Sequence, residues 1–273
     1  MIRSALLYHV YSGQLFFAAV ALFVIGIAGG RRFRILPLLA IPLALLSGTP
    51  MPWWVAIPLL AVGVGAALMN EDWRGGVPAA AKLVAIAAAL LAAGLELPHH
   101  LRDTTVELPR RLIVVGDSLS SGGFAESVPW PRRLGLHVAN FSQPSDTAAT
   151  ALEGQIPRFP PPIPGDVVLI EIGGNDMLER RPPAEFERAL DAILRASAPR
   201  TTVMLELPVV PGGWSYAAVQ RRLAARHGAV LVPKRILAGV LAGPLNADDG
   251  LHLTDRGHEH LARDLEASLG WRR

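Results

Sequence analysis

The sequence predicts an α/β domain, with a parallel sheet between layers of helices, preceded by a helical membrane region of about four spans. The chain has 273 residues, 51% of them hydrophobic, and a mean hydropathy of +0.34, with the excess before about residue 98. Beyond residue 103, short apolar runs alternate with amphipathic ones. Strands alternating with helices favour right-handed crossovers and a parallel three-layer sheet. We therefore place the membrane region at 1–101 and the α/β domain at 102–273.

Four apolar segments define the membrane region. A span takes about 20 apolar residues; the first and fourth segments reach this length, the second is shorter and the third is borderline. We interpret the second and third as a helical hairpin turning at 47–50; one buried re-entrant segment is the alternative. No small-x-small site followed by a polar mature sequence appears, so we expect no cleaved signal peptide. The four segments are 12–30, 35–49, 53–69 and 80–97.

The charges of the membrane region predict its orientation. Arg31, Arg32 and Arg34 follow the first segment, and Arg74 and Lys82 follow the third. Basic loops favour the cytoplasmic side, so four spans would put the α/β domain outside. We therefore expect an integral membrane protein of a bacterial inner membrane, with its α/β domain on the extracytoplasmic side.

Charge and cysteine content exclude several classes of protein. Six basic and three acidic residues precede residue 102, so the α/β domain has no formal net charge. A nucleic-acid partner would need clustered Lys and Arg and is not expected. The chain has no cysteine, which excludes disulfides, cysteine nucleophiles and thiolate metal sites. We find no phosphate loop or dinucleotide fingerprint and expect no cofactor.

The α/β domain contains five candidate strands and five candidate helices. The strands are short and rich in Val, Ile or Leu, as strands buried on both faces should be. Pro182-Pro183 and Ser215 mark helix starts. The predicted strands are 111–116, 137–142, 166–172, 201–208 and 229–232, and the predicted helices are 126–135, 146–155, 184–197, 214–227 and 254–269.

Three motifs carry residues suited to chemistry. Gly116-Asp117-Ser118-Leu119-Ser120 follows the first strand, Gly173-Gly174-Asn175-Asp176 follows the third, and Asp249-Gly250-Leu251-His252 precedes the last helix. Ligands bind outside the carboxyl ends of parallel strands, so the three motifs can meet at one edge of the sheet. In order they supply a hydroxyl, an amide donor, and a carboxylate three residues before an imidazole. Acyl transfer at a serine requires such a set.

Each motif also has a simpler interpretation. Asp117 and Ser118 could merely cap a helix, and Asn175 could belong to an ordinary turn. His252 needs a carboxylate partner; Asp249 is well spaced for this, and there are two rivals. The rivals are Asp248 and Asp255, and the remaining histidines of the region, His258 and His260, are expected to pack or lie on the surface rather than to bind a metal with His252.

From about 110 to 270 the sequence resembles the SGNH, or GDSL-type, hydrolase family, whose fold is a flavodoxin-like α/β/α sandwich. The three motifs match the family's first, third and final blocks, in order. The resemblance implies Ser118 as nucleophile, His252 as general base and then acid, and Asp249 as the residue that orients the imidazole. It also implies an oxyanion hole made of the Ser118 backbone N–H, the Asn175 side chain and a backbone N–H from the second block.

The second block departs from the family pattern. The family usually has a glycine where this chain has Ser145, in the run 140–147. A serine still has a backbone N–H to donate. If the position requires a positive φ, serine costs strain that glycine would not.

The motifs together predict a membrane-anchored serine esterase that forms an acyl-enzyme. We expect its substrate to be an ester or thioester of a lipid or an envelope carbohydrate. The same residues would serve an acyltransferase with a sugar or lipid acceptor, so that alternative stays open. A third hypothesis is a non-catalytic envelope protein that keeps the fold for binding.

Overall fold

The protein consists of a bundle of helices followed by an α/β domain. The computed structural model describes residues 2–51, 53–68, 78–102, 104–122, 127–243 and 250–271. The bundle contains α1 (Ile2–Tyr11), α2 (Leu15–Gly29), a 3₁₀ turn (Gly30–Phe33), α3 (Leu36–Leu46), α4 (Trp53–Leu68) and α5 (Ala79–Leu101).

The helices of the bundle do not support four membrane spans. Among the described residues, α5 is long and apolar enough to cross a membrane, and α1 with α2 would count as a second span only as a pair bent by 85°. The α3 helix has 11 residues and the apolar part of α4 is Val55–Gly65, both short of the roughly 20 residues of a span. The structure therefore contains one or two candidate spans.

Local chemistry explains why α3 is short. The Ser47 hydroxyl donates to the Ala44 carbonyl at 2.6 Å, and Gly48 follows with a φ of +61°. A residue in the left-handed region stops a helix, and glycine enters that region without steric penalty. Apolar composition, which predicted the span, carries no information about this early stop.

The bundle exposes much apolar surface. Its small core is built from Phe23 of α2 with Ala85 and Ala89 of α5, and only 22% of the most apolar stretch of α5 is buried. A buried core helix of a soluble protein would be largely covered. Large side chains that are at least 46% exposed include Leu39, Leu60, Leu83, Leu90, Leu91 and Leu95.

The α/β domain has the predicted parallel sheet. Its five strands run in the order β2-β1-β3-β4-β5, and all four neighbouring pairs are parallel. The second strand, predicted at 137–142, is only three residues long. The strands are β1 (Arg111–Gly116), β2 (Val138–Asn140), β3 (Asp166–Glu171), β4 (Thr201–Leu205) and β5 (Val230–Val232).

Helices cover both faces of the sheet. Ile113 and Val115 of β1 pack on one face with helices α8, α10 and α11, while Leu112 and Val114 pack on the other with α7, α12 and α13. The five predicted helices are present, the first reduced to one turn, and three short ones were not predicted (α6, α9 and α12). The helices are α6 (Ser118–Ser121), α7 (Trp130–Arg133), α8 (Ala148–Gly154), α9 (Gly174–Leu178), α10 (Pro183–Ser197), α11 (Trp214–His227), α12 (Arg235–Leu241) and α13 (Asp255–Leu269), with a 3₁₀ turn at Ile156–Arg158.

The strand order creates a crevice between β1 and β3. After β1 the chain moves outward to β2 and then returns to β3 on the other side of β1. The connections on the two sides leave in opposite directions, and ligands bind at such a switch point, beyond the carboxyl ends of the strands. Gly116 pairs with Glu171, so the segments that follow β1 and β3 start level.

Buried charges join the bundle to the α/β domain. Arg221 donates to the Glu96 carboxylate of α5 from Nη1 at 2.6 Å and from Nη2 at 2.9 Å. Its Nε donates to Glu206, which follows β4, also at 2.6 Å. The Trp214 indole donates to the Leu45 carbonyl at 3.2 Å. The ends of α3 and α5 therefore meet the α/β domain near the carboxyl end of β4.

Candidate active site

Ser118 begins α6 directly beyond β1. The helix cap is Asp117, whose Oδ1 accepts from the Leu119 N–H at 3.0 Å, so capping does not use the Ser118 hydroxyl. The turn before it is held by Gln155, which accepts from the Gly116 N–H at 3.1 Å and donates to the Gly116 carbonyl at 2.8 Å. Ser118 thus stands, half-buried, on a turn fixed from both sides.

Asn175 lies on α9, which starts immediately after β3. The turn depends on Gly173, whose φ is +112° and where a Cβ would stand 2.6 Å from the Phe186 ring. The next residue, Gly174, would place a Cβ 3.3 Å from the Asp117 carboxylate. The first and third motifs are therefore in close contact at the crevice, as the sequence predicts.

The second block is held against α9 by two hydrogen bonds. Asn175 Nδ2 donates to the Asp146 carbonyl at 2.9 Å, and the Asp176 carboxylate accepts from the Ala148 N–H at 2.8 Å. Ser145 precedes Asp146, so its backbone lies beside the Asn175 side chain. Two of the three donors expected in the oxyanion hole are thereby brought together.

Ser145 adopts the strained conformation that the sequence left open. Its φ is +66°, in the left-handed region, which costs a residue with a Cβ roughly 1–2 kcal/mol relative to glycine. The side chain is exposed, so space does not forbid it. The hydrogen bonds to Asp146 and Ala148 hold the turn in this conformation. The cost of serine at this position is therefore backbone strain alone.

His252 lies close to Asp117. Burial raises the pKa of Asp117 to about 6, while the Leu119 N–H bond and the positive charge of His252 act in the opposite direction. This electrostatic effect indicates that the imidazole lies on the same side of the molecule as Asp117, the residue that precedes Ser118. His252 itself is half-buried, just ahead of α13.

The structure reduces the number of candidates for the acidic partner of His252. Asp249 and its rival Asp248 lie outside the described residues. The other rival, Asp255, is at the start of α13, is exposed, and pairs with Arg133. This ion pair gives Asp255 a different role and leaves residues 248 and 249 as candidates.

The other two histidines of α13 lie where the sequence suggested. His258 is 1% exposed, and burial is the main cause that lowers its pKa to about 4. His260 is partly exposed and its Nε2 lies 3.4 Å from the Asp264 carboxylate. Within the described ranges, no group of three or more His, Asp and Glu side chains is arranged to hold a metal ion.

A buried glutamate under the nucleophile turn was missed by sequence reasoning. Glu171 ends β3, is fully buried, and its Oε2 accepts from the Ser120 hydroxyl at 2.7 Å. Burial first, and the neighbouring Asp117 second, raise its pKa well above the ordinary value. The available signal was an acidic residue at the carboxyl end of a strand whose four central residues are apolar.

These buried carboxyl groups predict a pH-dependent stability. The pKa of the Asp117 carboxyl group rises from 3.8 to about 6 on folding. Below pH 4 this shift costs no stability, because the group is protonated in the folded and the unfolded state. Between pH 4 and pH 6 it progressively lowers the free energy of unfolding. Asp117→Asn keeps an oxygen for the Leu119 cap and removes this penalty. Relative to the wild type, the variant should therefore gain about 3 kcal/mol in unfolding free energy between pH 4 and pH 7.

Denaturant unfolding at several pH values measures this gain. Glu179→Gln is the matched control, because that carboxylate is 45% exposed and forms a surface ion pair with Arg181. If the free energies of unfolding of the wild type and of Asp117→Asn changed with pH in the same way, Asp117 would not be a buried carboxylate that destabilises the fold.

A parallel α/β sandwich that brings a serine and an amide together at its switch point is an architecture suited to an ester-hydrolysing enzyme. The chain belongs to the GDSL-like lipase/acylhydrolase family, whose model matches residues 114–260. The matched region runs from the second half of β1 through β5 and includes the described parts of the crevice. The helical bundle lies outside it.

Individual relatives support the same class. The chain is 30% identical over 155 residues to the "Thioesterase 1/protease 1/lysophospholipase L1" of Escherichia coli K12, which covers 52% of this chain and 74% of that one. The solved structure of TesA is 28% identical with a TM-score of 0.50, covering 58% and 97%. The esterase EstA from Pseudoalteromonas sp., at 20% identity and a TM-score of 0.51 over 58% and 96%, shows the shared fold.

Proposed function

We propose that this protein is a membrane-associated serine ester hydrolase that works through an acyl-enzyme. Ser118 is the nucleophile, His252 the general base and then acid, and Asp249 the carboxylate that orients the imidazole. The observation that carries the proposal is the convergence of the first three blocks beyond β1 and β3. A Cβ at Gly174 would stand 3.3 Å from the Asp117 carboxylate, and Asn175 Nδ2 donates to the Asp146 carbonyl at 2.9 Å.

In the first half of the proposed reaction, Ser118 attacks the ester carbonyl. His252 takes the hydroxyl proton as the bond from Oγ to carbon forms, and the carbonyl electrons move onto the oxygen. The tetrahedral intermediate then collapses, and His252 gives its proton to the departing alcohol or thiol. An acyl group remains on Ser118. In the second half a water repeats these steps and releases the carboxylic acid.

The negative oxygen of the intermediate needs donors that are already in place. The backbone N–H groups of Ser118 and Ser145 and the Asn175 amide are the proposed donors. The Asn175 amide now faces the Asp146 carbonyl at 2.9 Å, so one amide proton is engaged and the second remains for the oxyanion. The existing bond fixes the amide plane before substrate arrives, which lowers the cost of orientation.

Asn175→Ala should lower kcat by about 10²–10³, the usual loss for one oxyanion donor. The variant also loses the bond to Asp146, which contributes roughly 1 kcal/mol to stability. Steady-state kinetics with a short-chain aryl ester measures the first effect and thermal unfolding the second. If kcat fell only in proportion to the fraction of folded protein, Asn175 would have a structural role. A change in kcat of less than tenfold would lead to the same conclusion.

We further propose that the bundle associates the enzyme with a membrane. The support is the exposed apolar surface of α5, of which only 22% is buried, together with the exposed leucines of α3 and α4. Apolar surface on this scale is rarely left in water. The α5 helix has 23 residues, which corresponds to a length of roughly 35 Å, enough to cross the hydrocarbon core.

The charge distribution favours an extracytoplasmic active site. The α/β domain meets the ends of α3 and α5 through Leu45 and Glu96, whereas Arg32 and Arg34 lie between α2 and α3, at the opposite end of the bundle. Basic residues prefer the cytoplasmic side. The α/β domain would then lie on the other side of the membrane.

The absence of cysteine from the chain makes the side of the membrane directly measurable. Glu259→Cys, exposed on α13, should react with a membrane-impermeant maleimide in intact cells, and Arg34→Cys should react only after the cells are opened. The reverse pattern would place the active site in the cytoplasm. Equal labelling of both cysteines in intact cells would contradict a membrane barrier between them.

The proposed reaction is tested by hydrolysis assays on full-length protein in detergent. We expect release of carboxylic acid from short-chain aryl esters and from acyl thioesters, with no metal or cofactor added. Adding a polysaccharide or lipid alcohol should leave water as the acceptor. Acyl transfer to that alcohol in place of hydrolysis would change the proposal to a transferase, and inactivity on every ester with well-folded protein would end it.

A further inference from the structure

A partly open cavity lies inside the bundle, against the α/β domain. Its volume is about 390 Å³, within the range of small-molecule sites. Helices α2 to α5 each contribute to the wall, including Phe16, Phe23, Ile41 and Leu59. Apart from Thr49 the lining side chains are apolar. The cavity therefore suits an apolar ligand or part of one.

The α/β domain supplies part of this wall. Trp214, the first residue of α11, lines the cavity together with Leu45 and Thr49, and its indole donates to the Leu45 carbonyl at 3.2 Å. Between these two bundle residues, Gly48 would place a Cβ 2.6 Å from the Val209 side chain, which follows β4. The cavity is thus bounded at one end by the segment between β4 and α11.

That segment also contacts the oxyanion helix α9. The Tyr216 hydroxyl, two residues after Trp214, donates to the Asp176 carbonyl at 3.2 Å. On the other side of Trp214, a Cβ at Gly213 would stand 2.9 Å from the Met177 sulfur. Asp176 and Met177 directly follow Asn175. The apolar cavity and the proposed oxyanion site therefore share one supporting segment at the carboxyl edge of the sheet.

We propose that this cavity receives the acyl chain of the substrate, so that the enzyme prefers long-chain esters of membrane amphiphiles. The inference rests on the proposed ester hydrolysis and adds the substrate class. An apolar wall selects an alkyl chain, and the exposed leucines of the bundle place its mouth beside lipid. A gap that merely accommodates bilayer tails would not need a tryptophan from the catalytic domain, or a link to α9.

The inference predicts a steep dependence on chain length. Each methylene buried contributes about 0.8 kcal/mol, which corresponds to a roughly fourfold gain in kcat/KM per methylene until the cavity is full. Ala44 is half-buried and lines the cavity, and Ala44→Phe would occupy part of it. Displacing two methylenes should lower the ratio of long-chain to short-chain kcat/KM about 15-fold.

A p-nitrophenyl ester series from acetate to palmitate, in one detergent, measures this ratio. Ala87→Phe is the matched control, because Ala87 is exposed on α5 and does not line the cavity; it should keep the wild-type ratio. An unchanged ratio in Ala44→Phe would overturn the inference. Absence of turnover on every ester of the series, from acetate to palmitate, in well-folded wild type would instead refute the proposed hydrolase function.

A binding measurement tests the cavity without turnover. In Ser118→Ala protein, brominated lysophosphatidylcholine should quench the part of the fluorescence that Trp214→Phe removes, and Ala44→Phe should raise the lipid concentration needed for this quenching about 15-fold. Absence of that quenching would contradict occupation of the cavity. Quenching combined with an unchanged chain-length ratio would identify a bound membrane lipid and reject the acyl-chain assignment.

Discussion

Ser118→Ala should lower kcat for a short-chain aryl ester by at least about 10⁴-fold, while the fold is retained. Removing a nucleophile abolishes the acyl-enzyme route and leaves only the contribution of binding and of the oxyanion donors. The fold should survive because the helix cap is the Asp117 carboxylate and not the serine hydroxyl. Single-turnover kinetics on purified protein, with circular dichroism to check folding, measures both parts of this expectation.

Ser121→Ala is the control for this substitution. Ser121 lies on the same short helix α6, and its hydroxyl donates to the Ser118 carbonyl at 3.5 Å. Its loss should change kcat less than threefold. If Ser118→Ala turned over ester at a rate comparable with Ser121→Ala, another residue would have to be the nucleophile.

His252→Ala should produce the second-largest loss, about 10³–10⁶ in kcat. Without the imidazole the Ser118 hydroxyl keeps its proton and the leaving group receives none. The effect should appear in kcat, with KM little changed, because the imidazole acts on the reacting atoms. His260→Ala, on the partly exposed side of α13 near Asp264, should keep wild-type activity.

The partner of His252 can be assigned in the same experiment. Asp249→Asn should lower kcat by as much as about 10⁴, since the amide no longer stabilises the charged imidazole or fixes its tautomer. Asp248→Asn should have little effect. Reversal of the two results would transfer the role to Asp248, and near-normal activity in His252→Ala would remove the imidazole from the mechanism altogether.

The fold of the α/β domain was predictable because its strands are buried on both faces. The central residues 112–115 and 167–170 are all apolar, as expected for short strands that are buried on both faces of a sheet. The short helices α6 and α9 were not predictable. They have four and five residues and form because turns beyond β1 and β3 are fixed by neighbours, Gln155 at one and Phe186 at the other.

The membrane region was predicted less well. Apolar composition marked all four segments correctly as helical, yet it does not encode where a helix stops. The chain bends by 85° between α1 and α2 and ends α3 at Ser47, so segments that looked like spans became shorter packed helices. The buried ion pairs of Arg221 with Glu96 and Glu206 were also invisible, because the partners lie far apart in the sequence.

The candidate site residues were proposed from motifs, and the motifs do not predict the surroundings of these residues. Ser118, Asn175 and His252 stand in recognisable runs, but the motif cannot reveal that Glu171 lies buried beneath the nucleophile turn. Nor can it give the backbone conformation of Ser145. A positive φ at a non-glycine residue is enforced by the fold, here by the bonds of α9 to residues 146 and 148, and becomes visible only with the structure.

The central claim is that the Ser118 hydroxyl is the atom that becomes acylated. Reaction of the full-length protein with a fluorophosphonate, followed by peptide mass spectrometry, tests it most directly. We predict one adduct on Ser118, lost in Ser118→Ala, strongly slowed in His252→Ala, and retained in Ser121→Ala. An adduct on a different residue, or ester turnover that persists after Ser118 has been fully labelled, would contradict the account.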